Sequence, residues 1–144
     1  MAIQYRLYQE KREVKYKGKW YARAVSVGTV DLDKLAEVIQ ENVSVKKSDV
    51  YGVLIELVNV MKSYLQESYA VNVNGLGIFR VGLATLPAET AAAFNTSQHV
   101  RGMRINFLPE GRYLSGQGMG KKKTTLMLAG SQVKELPVNT VEKG

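Results

Sequence analysis

The apolar positions of this chain recur with two different periods, and the changes between them divide it. Residues 3–8, IQYRLY, alternate strictly: Ile3, Tyr5 and Leu7 fall on one face, Gln4, Arg6 and Tyr8 on the other. That is the period of a half-buried strand. Residues 20–27, WYARAVSV, are aromatic and β-branched and read as a second strand. The polar stretch between them, EKREVKYKGK, carries Gly18 as turn punctuation. The two strands are expected to pair as an antiparallel hairpin with a basic, aromatic loop.

The period then becomes helical. Asp31 is a natural N-cap and Asp33 adds negative charge in the first turn, where the helix dipole favours it. Leu32, Leu35, Ala36 and Ile39 form one apolar stripe, which predicts a helix over 31–42. A second helix is predicted over 47–67. Its stripe runs through Val50, Val53, Leu54, Leu57, Val58, Met61 and Leu65, and Tyr51 and Tyr64 widen it. So wide a stripe needs a further surface to pack against.

After residue 70 the period returns to two. Val71 and Val73 share a face, Gly75-Leu76-Gly77 marks a turn, and Phe79 and Val81 share a face of the return strand 78–83. Residues 87–94, PAETAAAF, have helical composition, with Pro87 suited to a first helical position. Residues 99–107 read as a strand, and Pro109-Glu110 as the opening of a short last helix ending near Gly116. The stretch GQGMGKKK reads as a flexible basic linker, residues 124–130 as a short strand, and the remainder as a loosely ordered tail. The expected organisation is an N-terminal basic β extension (1–30), a central domain (31–116) and a Gly/Lys-rich tail (117–144). The expected class is α+β.

Charge sharpens this division. The chain has 20 Lys and Arg against 13 Asp and Glu, a net charge of +7. Residues 1–30 hold seven basic and two acidic residues, residues 31–116 eight and nine, and residues 117–144 five and two. A polyanionic partner is therefore expected to meet the ends of the chain. The absence of cysteine excludes thiol catalysis and Cys-based zinc sites. The single histidine, His99, excludes multi-His metal sites within one chain. No nucleophile–base set accompanies it, and the Gly116–Lys121 stretch lacks phosphate-loop spacing. No catalytic residue, metal or cofactor is expected. No apolar run approaches a membrane span and the first residues lack a signal-peptide core, so a soluble cytoplasmic protein is the expectation.

The order of elements around Val71-Asn72-Val73-Asn74-Gly75-Leu76-Gly77-Ile78-Phe79-Arg80-Val81 resembles the bacterial HU and integration-host-factor family of histone-like DNA-binding proteins. The pattern lies on residues 31–83 without a gap. Leu35 and Ile39 match apolar positions of its first helix, and Lys47 and Asp49 the basic-acidic start of its second. Phe107-x-Pro109 and Leu114 resemble its strand end and last helix. The extra terminal pieces resemble a Bacteroidetes-type subfamily. The resemblance implies an intertwined homodimer whose β-arms wrap DNA and whose apolar tip kinks the duplex. It implies for Lys47 a contact to flanking DNA, and for Gly75 and Gly77 a tight structural turn. Residues 84–103 depart from the family's basic arm. They hold one basic residue, Arg101, and no Asn-Pro, and Gly82 stands where the family tends to place an arginine. A helical or compact segment is expected there rather than a long ribbon.

The candidate DNA-binding residues are Lys11, Arg12, Lys15, Lys17, Lys19, Arg23, Lys47, Arg80, Arg101, Arg104, Lys121, Lys122 and Lys123. The N-terminal cations lie among Tyr8, Tyr16, Trp20 and Tyr21, which fits phosphate contact, favoured by the neutral middle of the chain, and also fits an edge strand protected by lysine. Lys121-Lys122-Lys123 fits a mobile arm on DNA or a solvated tail. The expected function is non-enzymatic binding of double-stranded DNA by a nucleoid-associated homodimer, through backbone charge and shape. The alternative is an interaction module that kept the dimer and lost DNA wrapping.

Overall fold

The computed structural model describes residues 2–111, 125–137 and 141–143. The chain is a mixed α and β protein that divides into two compact units: residues 1–31 with 130–144, and residues 32–129.

In the first unit, β1 (Ala2–Gln9) pairs antiparallel with β2 (Trp20–Ala24). The alternation in the sequence is realised, with Arg6 opposite Arg23, Leu7 opposite Ala22 and Tyr8 opposite Tyr21. The connecting loop is closed by Glu10 N–H to Lys19 O at 2.9 Å and by Gly18 N–H to Glu10 O at 2.8 Å. Gly18 adopts φ +82° there, a conformation glycine reaches without a Cβ penalty.

In the second unit, α1 (Leu32–Asn42) and α2 (Lys47–Gln66) follow the two predicted stripes. The end of α2 is a Schellman motif. Tyr69 N–H reaches Tyr64 O at 3.0 Å and Ser68 N–H reaches Leu65 O at 3.1 Å. Ser68 takes the left-handed position at φ 69°, and the Tyr64 and Tyr69 rings meet edge to face at 5.8 Å. This cap turns the chain into β3 (Val71–Val73), β4 (Gly77–Thr85) and, after a one-turn helix α3 (Thr96–His99), β5 (Val100–Pro109). These three strands form an antiparallel sheet in the order β3-β4-β5. Gly75, at φ +86°, donates its N–H to the Glu110 carboxylate. Gly77, at φ +151°, lies so close to β5 that an added Cβ would sit 2.3 Å from Leu108 O.

A 3-10 turn at Leu126–Leu128 leads to β6 (Gln132–Glu135), which belongs to the first unit and pairs parallel with β1, Ile3 opposite Val133. Leu136 N–H continues the ladder to Tyr5 O at 2.8 Å. The first sheet is therefore β2-β1-β6, with strand partners from both ends of the chain.

Four local expectations change. Residues 87–94 form bends and turns, not a helix; the only helical turn here begins at Thr96, where Asn95 caps Ser97 N–H at 2.8 Å. The alanines favour helix, but the segment must reverse between paired strands, and Leu86 N–H bonds His99 O across its base at 2.7 Å. Pro109 ends β5 instead of opening a helix, and Glu110 and Gly111 form a bend; residues 112–116 of that predicted helix lie outside the described residues. Residues 126–128 make a turn where a strand was predicted. The strand lies four residues later, at 132–135, in the stretch that reads as a loose tail, because β1 offers it an open edge.

Candidate nucleic-acid interface

Most of the candidate cations fall on three surfaces, each set by strand register or loop geometry. The first is the β1–β2 loop. Arg12 binds Glu10 bidentately, Nε to Oε1 at 2.9 Å and Nη2 to Oε2 at 2.7 Å. This pair, led by the side-chain hydrogen bonds from Arg12, pulls the Glu10 carboxyl down to about 2. Lys17 is ion-paired with Glu13 across one helical-type spacing. Lys15 lies over the Tyr16 ring at 5.4 Å. The side chains of Lys11 and Lys19 have no ion pair among the described residues. Two of the five loop cations are thus already matched by carboxylates, which composition could not show. The Lys17–Glu13 pair is exposed on both sides and contributes little to stability, whereas the bidentate Glu10 side chain is only 11% exposed.

The second surface is one face of the first sheet. Arg23 places its guanidinium 4.5 Å from the Tyr8 ring centroid, and Tyr8 stacks on Tyr21 at 5.7 Å. Arg6, directly opposite Arg23, is on the same face.

The third is the β4–β5 ribbon. Phe79 faces Phe107, with ring centroids at 4.8 Å, and Val81 faces Ile105 and Leu83 faces Met103. The alternate positions make the other face, where Arg80 opposes Asn106 and Arg104 opposes Gly82. An added Cβ at Gly82 would meet Asn106 Nδ2 at 2.6 Å and Arg104 Nε at 3.2 Å, so the side chains from β5 occupy the space that glycine leaves open. Arg80 and Arg104 are therefore neighbours, gathered by register from 24 positions apart in sequence. Arg101 sits at the register shift between Ala84 and Thr85, the extra residue of a bulge. Lys47, at the start of α2, pairs with Asp33 of α1 at 3.0 Å and ties the two helices together. Lys121, Lys122 and Lys123 lie outside the described residues.

His99 is held locally: its Nδ1 accepts Asn95 N–H at 2.9 Å and its ring stacks on Phe94 at 5.1 Å.

Within the second unit, Leu57, Val58, Met61 and Leu65 of α2 and Phe79, Val81, Met103 and Ile105 of the ribbon line an open apolar cavity of about 830 Å³. Among the described residues only Ala36, Val50 and Leu65 are buried hydrophobics, while Val58 is 59% exposed and Met103 79%.

Residues 1–121 match the HU-HIG family, an HU domain fused to a winged helix-turn-helix, Ig or glycine-rich motif. The chain belongs to this family. The match includes β1 and β2, so the N-terminal hairpin lies inside the HU-HIG region. Among solved structures, the chain is similar to one from Bacteroides vulgatus named "Putative bacterial DNA binding protein", with a TM-score of 0.56 and 11% identity over 75% of this chain. That likeness shows a shared fold. The HU-HIG chain spans 41% of that protein's chain. No match appears among curated protein sequences. No helix among the described residues is long and apolar enough to cross a membrane.

Proposed function

We propose that this HU-HIG protein is a non-enzymatic, nucleoid-associated protein of the bacterial cytoplasm that binds double-stranded DNA as a homodimer. The observation that carries the reading is the concentration of cations on the first hairpin of a chain whose residues 31–116 are close to neutral: Lys11, Arg12, Lys15, Lys17, Lys19 and Arg23 on the hairpin, against a net −1 beyond it. Arg80, Arg101 and Arg104 on the ribbon, Lys47 on α2 and Lys121–Lys123 add secondary contacts. Binding rests on phosphate charge and duplex shape, with weak sequence preference. The expected domain roles follow: residues 1–30 grip DNA, 31–116 dimerise and frame the ribbon, and 117–144 extend the contact.

The apolar cavity supports the dimer. Its side chains are too exposed for a stable isolated unit, and a second copy of α2 and the ribbon would supply complementary apolar surface. A titration of the full chain against random-sequence duplex at two salt concentrations tests the DNA reading. A linear fall of log K with log salt is expected.

A second reading, an interaction module that keeps the dimer without wrapping DNA, has one observation in its favour. The ribbon ends in a compact turn, and Arg101 is the sole basic residue from 84 to 103. Absence of salt-sensitive binding would move that reading to first place.

A further inference from the structure

The face of the first sheet that carries Tyr8 holds a charge arrangement that folding alone does not account for. Arg6 and Arg23 are directly opposite in register. Like charges in that position destabilise a sheet. Lys134 of β6 is opposite Gln4, so it projects to the same side as Gln4, Arg6 and Tyr8. Arg6, Arg23 and Lys134 are all exposed. The only acidic residue in the three strands is Glu135. Its register partner is Tyr5, which places it on the opposite face. There it is held by Lys143 at 2.8 Å and by Val141 N–H at 3.1 Å. Three cations therefore share one face of a small sheet with no strand carboxylate among them.

The other face is the apolar one, with Ile3, Tyr5, Leu7 and Val133. The sheet is thus two-sided, one side suited to packing and the other left polar with Gln4 and Gln132 around the cations.

We propose that this polar face is a phosphate-backbone contact for duplex DNA, with Arg23, Arg6 and Lys134 as its ligands. The proposal rests on the DNA-binding reading and adds to it two residues, Arg6 and Lys134, that lie outside the loop cluster. Directly opposed strand residues lie about 5 Å apart and diagonal ones about 7–8 Å, so the three cations reach over roughly 13 Å. One strand of a duplex advances about 3.4 Å per nucleotide along the helix axis, so a reach of that size spans several consecutive phosphates. Guanidinium groups pair bidentately with phosphate oxygens. The Arg23 guanidinium is already fixed against Tyr8, and Tyr21 backs that ring, so little ordering remains to be done on binding. The same stacking argues against a single-stranded partner. A base-stacking platform needs free aromatic faces, and here the Tyr8 ring is already engaged by both Arg23 and Tyr21.

The test is fluorescence anisotropy of the full-length protein with random-sequence duplex across a salt series. The variant is Arg6→Gln with Arg23→Gln and Lys134→Gln. Each phosphate contact contributes about 0.9 to the slope of log K against log salt. The triple variant should therefore flatten the slope by about 2.7 per protomer engaged. Arg6→Gln alone should flatten it by about 0.9 while leaving the melting temperature equal or higher, since it relieves the Arg6–Arg23 repulsion. A purely structural Arg6 would give the reverse: a lower melting temperature and an unchanged slope. Lys134→Gln is an exposed edge-strand change and supplies the same reading if the triple variant fails to fold. If the parent binds duplex with a salt slope and all three variants keep it, the proposal is overturned and the DNA reading stands. Loss of affinity for single-stranded but not duplex DNA also overturns it. A parent with no salt-sensitive duplex binding removes the DNA reading itself, and this face with it.

Discussion

The two units solve opposite problems. The β2-β1-β6 sheet gathers like charges that repel one another and would be better matched by an external anion. The helical unit gathers apolar side chains that the described residues do not cover, from Leu57 and Met61 on α2 to Val81 and Ile105 on the ribbon. One unit is incomplete in charge, the other in burial. A polyanion and a second copy of the chain are therefore expected on different units. Damage to one function should leave the other measurable.

The largest effect is expected of Leu57→Asp. A carboxylate in the apolar cavity carries an uncompensated desolvation cost of several kcal/mol once the partner is docked. Light scattering should lose the dimer mass of about twice the chain, and circular dichroism should lose the cooperative melt, because obligate dimers rarely leave a stable monomer. A variant that remains dimeric would place the partner elsewhere.

Gly77→Ala should come next, costing about 1–3 kcal/mol. Its Cβ would strike the Leu108 carbonyl at a backbone angle that side chains rarely adopt. A thermal melt several degrees lower checks this. Ser68→Gly acts on the same unit with the opposite sign. It should stabilise by roughly 1 kcal/mol, because glycine takes the left-handed cap position without a Cβ clash.

On the charged unit, replacing Lys15, Lys17 and Lys19 by alanine should weaken binding to every duplex similarly and leave the dimer intact. Because Lys17 is matched by Glu13, the slope should fall by less than three full contacts. An unchanged slope would make the loop a solubilised edge. The smallest effect is expected of Glu10→Gln, which frees Arg12 and should tighten DNA binding slightly. Glu10 also gives a pH marker. Its folded-state value, about 2, is below the ordinary 4.5. The contribution of its pair with Arg12 is therefore complete above about 4.5 and lost as pH falls through about 2. Carboxyl resonances followed by NMR should show that late midpoint, and Arg12→Ala should return it toward 4.5.

Much of the second unit was legible because its signals are local. The stripe from Leu32 to Ile39 and the longer one from Val50 to Leu65 require only helical spacing, and both helices form within two residues of the expected ends. The Gly75-Leu76-Gly77 turn is legible for the same reason: residues close in sequence must adopt positive φ together. The segment 87–94 misled because propensity is weak beside the demand for a reversal between β4 and β5. At the candidate interface, the cations themselves are plain in the sequence. Their pairing is not, since Glu10 captures Arg12 through a particular loop conformation.

The helices, the alternation of β1, the turn glycines and the uneven charge all follow from periods and composition within a few residues. The pairing of Gln132–Glu135 beside β1 arises only from long-range folding. That pairing also put Lys134 on the face of Arg6 and turned Glu135 to the opposite one. Register across 130 positions has no local signature: it depends on which sheet edge is open and which hydrogen bonds remain unmade once the first hairpin has formed.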